Sequence, residues 1–122
     1  MAAKDDLGRA GEERAAEYLH ARGYTVLDRN WRCQDGEVDI VAAHEADIVF
    51  VEVKTRRGFG FGHPFEAIDA RKRTRMWRVA MAWIAAHRHE MRGRKLRFAA
   101  VGLTGTDPAT ASLEMIADLD VR

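Results

Sequence analysis

Three residues with chemical potential fall at a telling spacing. Asp39 lies in the segment GEVDIVAA (36–43), and Glu52 and Lys54 lie in the segment IVFVEVKT (48–55). Both segments are dense in β-branched and aromatic residues and read as strands. His44-Glu45-Ala46-Asp47 between them reads as a four-residue hairpin loop. If the hairpin closes symmetrically, Ala43 faces Ile48 and Asp39 faces Glu52, with Glu37 opposite Lys54. Cross-strand neighbours have Cβ atoms about 5 Å apart and point to the same face. A slip of one residue would send the set to opposite faces.

Two carboxylates side by side in a desolvated place repel each other. A hard divalent cation relieves that repulsion, and Mg²⁺, or Mn²⁺ in its stead, uses one or two carboxylates together with waters and phosphate oxygens. The carbonyl of Val53 is a candidate third ligand beside Asp39 and Glu52. Lys54, two residues past Glu52 on the same face, is placed to orient or deprotonate a water, or to steady charge on a phosphoryl group in transfer. The competing account of the same residues is a salt-bridged patch at a sheet edge, Asp39 and Glu37 against Lys54.

The charge distribution points the same way. The net charge of +1 conceals a strong segregation. Residues 1–53 carry six Lys/Arg against twelve Asp/Glu, residues 54–97 carry thirteen against three, and residues 98–122 carry one against four. The basic block is mostly Arg, which grips phosphate in a bidentate way. Nucleic acid, DNA above all, is the natural partner of such a patch, with Arg56, Arg57, Arg71, Lys72 and Arg75 as the candidate phosphate contacts. A solvated helix face is the alternative.

The elements that must position these residues follow from periodicity. Residues 5–22 read as an amphipathic helix capped by Asp5 or Asp6, with Leu7, Ala10, Ala15, Tyr18 and Leu19 at helical spacing and Gly23 as its stop. Strands are expected over 24–32, 36–43, 48–55, 97–104 and 112–119. The third is apolar on both faces, as a covered central strand must be. Residues 56–65 read as a glycine-punctuated loop and 66–91 as one long helix, with Ile68, Met76, Val79, Ala80, Trp83 and Ile84 on its apolar stripe. The order α-β-β-β-α-β-β predicts a single α/β domain over residues 1–122, a mixed sheet with a helix to either side.

These segments also carry a resemblance. GRAGEERAAEYL, GYTVLDRNWR, GEVDIV, FVEVKTR and FGHPFEAI, with Arg71-Lys72-Arg73 after them, resemble the YraN family of bacterial proteins, a family expected to be endonuclease-like and related to Holliday junction resolvases. The likeness runs over nearly the whole chain. It implies a restriction-endonuclease-like fold with the PD-(D/E)xK pattern, in which Asp39 supplies the aspartate and Glu52 and Lys54 the E-x-K. It implies further that Glu12, on the first helix, joins the catalytic set; nothing in the residues themselves separates Glu12 from Glu13 or Glu17. The activity implied is Mg²⁺-dependent phosphodiester hydrolysis in DNA, on branched or structured substrates. The alternative is a non-catalytic nucleic-acid-binding module of the same fold, and a third is an adaptor whose basic helix docks an acidic protein. In one place the chain departs from the family pattern: Ala99 stands where an aspartate is usual after the late-strand phenylalanine. Resolvase-like relatives act as dimers, so a homodimer is compatible with the sequence, although no residue demands it.

Other signals are weaker. Gly58, Gly60 and Gly62 fit neither a dinucleotide fingerprint nor a Walker loop and read as a mobile loop, on which Phe59 or Phe61 could meet a base. His63 is the best placed of the histidines; His87 and His89, two apart on a helix, are poor joint ligands. Trp77 sits partly off the apolar stripe, a candidate contact on the basic face or in a dimer. Cys33 is the sole cysteine, which excludes an internal disulfide and fits a reducing cytoplasm. The start of the chain lacks the apolar core of a signal peptide, and no apolar run approaches the ~18 residues of a membrane span.

Overall fold

The structure, a computed structural model, describes residues 6–121. Helix α1 (Asp6–Ala21) leads into strands β1 (Thr25–Cys33), β2 (Gly36–His44) and β3 (Asp47–Arg56). Two short 3₁₀ turns, Phe59–Phe61 and Pro64–Ala67, precede α2 (Ala70–Ala86) and the single-turn α3 (Arg88–Met91); β4 (Lys95–Thr104) and β5 (Ser112–Ile116) complete the order. The five strands lie in the spatial order β1-β2-β3-β4-β5, antiparallel except for the parallel pair β3–β4. The expected mixed α/β sheet with flanking helices is therefore present.

The apolar alternation of β3 decides where the helices go. Val49, Val51 and Val53 pack with Ala15 and Leu19 of α1 on one face, and Ile48 and Phe50 pack with Met76, Val79, Ala80 and Trp83 of α2 on the other. Burying a Val, Ile or Phe side chain stabilises by about 1.5–3 kcal/mol, and β3 buries such side chains on both sides. Helix α1 ends as expected: Gly23 takes a left-handed φ of +88°, and the N–H of Tyr24 returns to the carbonyl of Leu19. Asp5, the other candidate cap, lies outside the described residues.

Three expectations need correction. The single helix over 66–91 is broken at both ends. Asp69 caps α2 by accepting from the Lys72 N–H at 2.9 Å, so residues 64–67 form a separate 3₁₀ turn led by Pro64. His87 leaves helical geometry (φ −133°, ψ 45°) and its Nδ1 meets the Trp83 carbonyl at 2.8 Å, separating α2 from α3. The hairpin turn is Glu45-Ala46 alone, because His44 and Asp47 already pair, and a symmetric two-residue turn keeps the register of a symmetric four-residue loop. The last strand stops at Ile116, and Leu119 instead folds back to Phe98, its N–H bonding the Phe98 carbonyl at 2.8 Å.

No helix among the described residues is long and apolar enough to cross a membrane.

Candidate metal and nucleic-acid site

The β2–β3 ladder runs from His44–Asp47 to Ile40–Val51 and stops. Beyond that point β2 stays with β1, as far as the Gly36–Cys33 pair, and β3 stays with β4, as far as Arg56–Thr104. The sheet splits where the two acids fall. Asp39 holds the split together: its Oδ2 accepts the backbone N–H of Val53 at 2.8 Å, replacing a ladder bond. The expected register is thus correct, but the expected backbone pairing of Asp39 with Glu52, and of Glu37 with Lys54, does not form. Glu37 pairs instead with Arg32 of β1 at 3.0 Å.

A cavity of about 720 Å³ opens at this split. Its floor is Glu37 and Asp39 from β2 and residues Glu52 to Arg56 from β3. Leu7, Gly8 and Glu12 of α1 wall one side, and Lys72, Arg75, Met76 and Val79 of α2 wall the other. Arg57 lies at the exit of β3. Glu12 and the two sheet acids are buried, at 4, 6 and 5% exposure for Glu12, Asp39 and Glu52. The first helix reaches the site because Gly11 lets it approach β3 closely. A Cβ at Gly11 would sit 2.3 Å from the Thr55 hydroxyl. Arg14, one turn on, bonds the Ala111 carbonyl at 3.1 Å and ties α1 to the loop after β4.

Glu52 dominates the electrostatics. Burial, and then the neighbouring Asp39, raise its carboxyl from 4.5 to about 7. Lys72 and Lys54 act against that rise, and both approach the same oxygen: Lys72 Nζ lies 3.2 Å and Lys54 Nζ 3.7 Å from Glu52 Oε2. Lys72, expected as a phosphate contact, is therefore the nearer cation to Glu52. Periodicity gave no sign of this, because the start of α2 is fixed by Asp69 and not by the apolar stripe.

The remaining expected residues divide cleanly. Arg56, Arg57 and Arg75 line the cavity, and the Nε of Arg56 is shielded from water with no hydrogen-bond partner among the described residues. Arg71 is exposed on α2 and does not line it. His63 caps the Pro64 turn by accepting from the Phe65 N–H at 3.1 Å and pairs with Glu114 at 2.5 Å, so its role is in holding that turn to β5. His87 stacks on Trp83, whose indole N–H bonds Asp28 at 3.2 Å. Trp77 packs on Phe98 against the sheet. Phe59 stands 69% exposed at the tip of the loop that leaves the cavity. Ala99, the departure noted above, is fully buried, pairs with Val51 and belongs to the core under α1. It faces away from the acids, so the change bears on packing there.

The donor set suits a hard cation. Two buried carboxylates match the one or two that Mg²⁺ takes, with waters and phosphate oxygens for the rest. Among the described residues no group of three His, Cys, Asp or Glu side chains is placed to hold a metal ion by itself.

Comparison with known proteins gives the lineage. The chain is 50% identical over 101 residues to the UPF0102 protein of Arthrobacter sp. (strain FB24), covering 83% of this chain and 86% of that one. It is 45% identical over 116 residues to the UPF0102 protein of Clavibacter michiganensis subsp. michiganensis (strain NCPPB 382), covering 95% and 97%. The relative from Beutenbergia cavernae is 44% identical over 114 residues, covering 93% and 95%. The model of the family described as "Uncharacterised protein family UPF0102" matches residues 11–103, a span that holds Glu12, Asp39, Glu52, Lys54 and Lys72, and the chain belongs to that family.

Proposed function

We propose that this protein is a divalent-metal-dependent endonuclease of restriction-endonuclease-like, PD-(D/E)xK type that hydrolyses phosphodiester bonds in DNA. The observation that carries the reading is the pair of buried acids, Asp39 and Glu52, at the floor of a cleft whose rim is cationic. A protein that buries two neighbouring carboxylates destabilises itself unless a cation joins them. The arginines of the rim match the phosphates that would bring such an ion its remaining ligands.

In this reading Asp39 and Glu52 hold the ion, with the backbone of Val53 beside them. The chemistry such an ion supplies is polarisation of a phosphoryl oxygen and acidification of a water. Lys54 orients the attacking water or steadies the charge that develops on the phosphoryl group. Arg56, Arg57 and Arg75, which line the cleft, bind phosphate oxygens. Glu12, buried in the same wall, adjusts the charge of the site. Phe59, exposed between two glycines, is suited to stacking on an unpaired base. Branched or partly single-stranded DNA is therefore the favoured substrate.

The test is cleavage of labelled duplex, hairpin and four-way DNA with Mg²⁺, Mn²⁺ or EDTA. Asp39→Asn retains an oxygen for the Val53 N–H while removing the charge, and Lys54→Ala removes the amine. Both are expected to lose cleavage by at least about a hundredfold, the scale of one preorganised electrostatic contact. Variants that cut as well as wild type would assign the activity to a contaminant. DNA binding without cleavage by wild type would favour the binding-module reading.

A further inference from the structure

We propose that Lys72 is an exchangeable counter-ion: it neutralises Glu52 while no divalent cation is bound, and passes to a phosphate oxygen of the nucleic acid when one is. This rests on the reading of the site as metal-dependent. Two ammonium groups already approach one oxygen, Glu52 Oε2: Lys54 from the floor strand β3 and Lys72 from the α2 wall of the cleft. A dication held by Asp39 and Glu52 would bring three positive centres to two acids. Their mutual repulsion favours the departure of one ammonium.

The geometry selects Lys72. Lys54 sits in β3, two residues from Glu52 on the same face, and its backbone is fixed by the parallel register with Gly102 of β4. Its root, two residues from Glu52 on the floor of the cleft, keeps its ammonium at the centre of the site, where the proposed reaction uses it. Lys72 reaches Glu52 from the α2 wall, across the cleft, on a flexible four-carbon stem. Its root is firm, since its N–H is held by the Asp69 cap, so movement is confined to the side chain. Arg75, one turn further along α2, lines the same cavity. An ammonium released from Glu52 therefore turns toward a rim that already favours phosphate. The consequence is a coupling: metal and nucleic acid help each other to bind, because the ion frees a cation that the phosphate then uses.

Loss of the Lys72 charge is expected to act in opposite senses on two ligands. Lys72→Met keeps the stem and removes the charge. Calorimetry with Mn²⁺ alone is expected to find this variant binding at least about threefold more tightly than wild type, since a competing charge has gone. Lys72→Arg retains the charge and is expected to stay near wild type. Lys95→Met makes the same change in net charge at the distant hairpin end of the sheet, where Lys95 pairs with Asp47, and is expected to leave Mn²⁺ affinity unaltered. Binding of a labelled DNA hairpin is then followed against salt by fluorescence anisotropy. The slopes of wild type and Lys72→Met are expected to differ by about one with Mn²⁺ and to coincide in EDTA. Lys72→Gln, which can still hydrogen-bond Glu52, serves if the methionine variant does not fold. Wild type that binds Mn²⁺ no more weakly than Lys72→Met would overturn the proposal. So would a slope difference that is the same with and without metal. Wild type that takes up no Mn²⁺ even with DNA present would defeat the nuclease reading itself.

Discussion

At Glu52 two opposed influences meet within one side chain. Burial and Asp39 favour the neutral acid, Lys72 and Lys54 favour the anion, and the balance leaves the carboxyl at about 7. The consequence for stability has a definite sign. The unfolded chain ionises Glu52 near 4.5 and the folded chain near 7. Between those values the folded state holds the extra proton, so this group's contribution to stability is complete below pH 4.5, falls as pH rises toward 7, and is flat above. The whole change amounts to about 3 kcal/mol at most. Glu52→Gln removes it. Metal-free Glu52→Gln is expected to melt above wild type at pH 8, with the gap closing toward pH 4.5; Mn²⁺ at pH 8 should raise the Tm of wild type only. A gap that does not vary with pH would mean that the acid is not strained in the folded state. Asp39, Glu52 and Lys54 were legible in the sequence because strand alternation and hairpin register are geometric. Glu12 was legible only through family likeness, since the same helix offers Glu13 and Glu17 as well. The attachment of Lys72 to Glu52 was not legible at all, because it depends on where two unconnected elements cross.

The elements fix the site through two close approaches, one of which periodicity cannot foretell. Gly11 brings α1 against β3 with no room for a methyl group beside Thr55, and Glu12 is the next residue. Gly11→Ala would add about 1 kcal/mol of helix propensity. Overpacking of a tight contact costs about 1–3 kcal/mol, so the net expectation is a loss of about 1 kcal/mol in a urea titration. Removing the obstructing hydroxyl should reverse the sign: in a Thr55→Ala background, Gly11→Ala is expected to stabilise. If Gly11→Ala stabilises in both backgrounds, α1 does not touch β3 as described. At Gly102 the Pro64 turn makes a similar approach, with Phe65 within 3.0 Å of a built Cβ, and this anchors the loop that carries Phe59. The sheet was readable in advance because each strand has a two-residue period and a turn to end it. The break of the long helix was not, because a capped 3₁₀ turn and a helix share the same apolar spacing; Pro64 and Asp69 were its only local marks.

Across the whole molecule, linear charge overstates what a nucleic acid can meet. The block from 54 to 97 holds thirteen Lys/Arg, yet several are committed elsewhere. Arg97 is bound by Asp47 at 2.9 Å, Tyr24 at 3.1 Å and His44 at 2.9 Å, and it holds the hairpin end of the sheet together. Arg73 is spent on the carbonyls of Ile68 and Asp120, at 3.1 and 2.9 Å. Lys95 lies at the same far end as Asp47. What lines the cleft is Arg56, Arg57 and Arg75, beside the Glu52-paired Lys54 and Lys72, with Arg71 and Arg78 exposed elsewhere on α2. Each phosphate neutralised on duplex DNA contributes about −0.9 to the slope of log K against log salt. Four or five contacts therefore predict a slope of about −4, where the full block would give more than twice that. Arg57→Ala and Arg75→Ala should each flatten the slope by about one. Arg73→Ala and Arg97→Ala should leave the slope alone and lower the melting temperature, because their guanidinium groups satisfy carbonyls and side chains that would otherwise be left without partners. If Arg97→Ala flattened the slope as much as Arg75→Ala, nucleic acid would be meeting the hairpin end of the sheet, and the cleft between α1 and α2 would not be where the substrate lies.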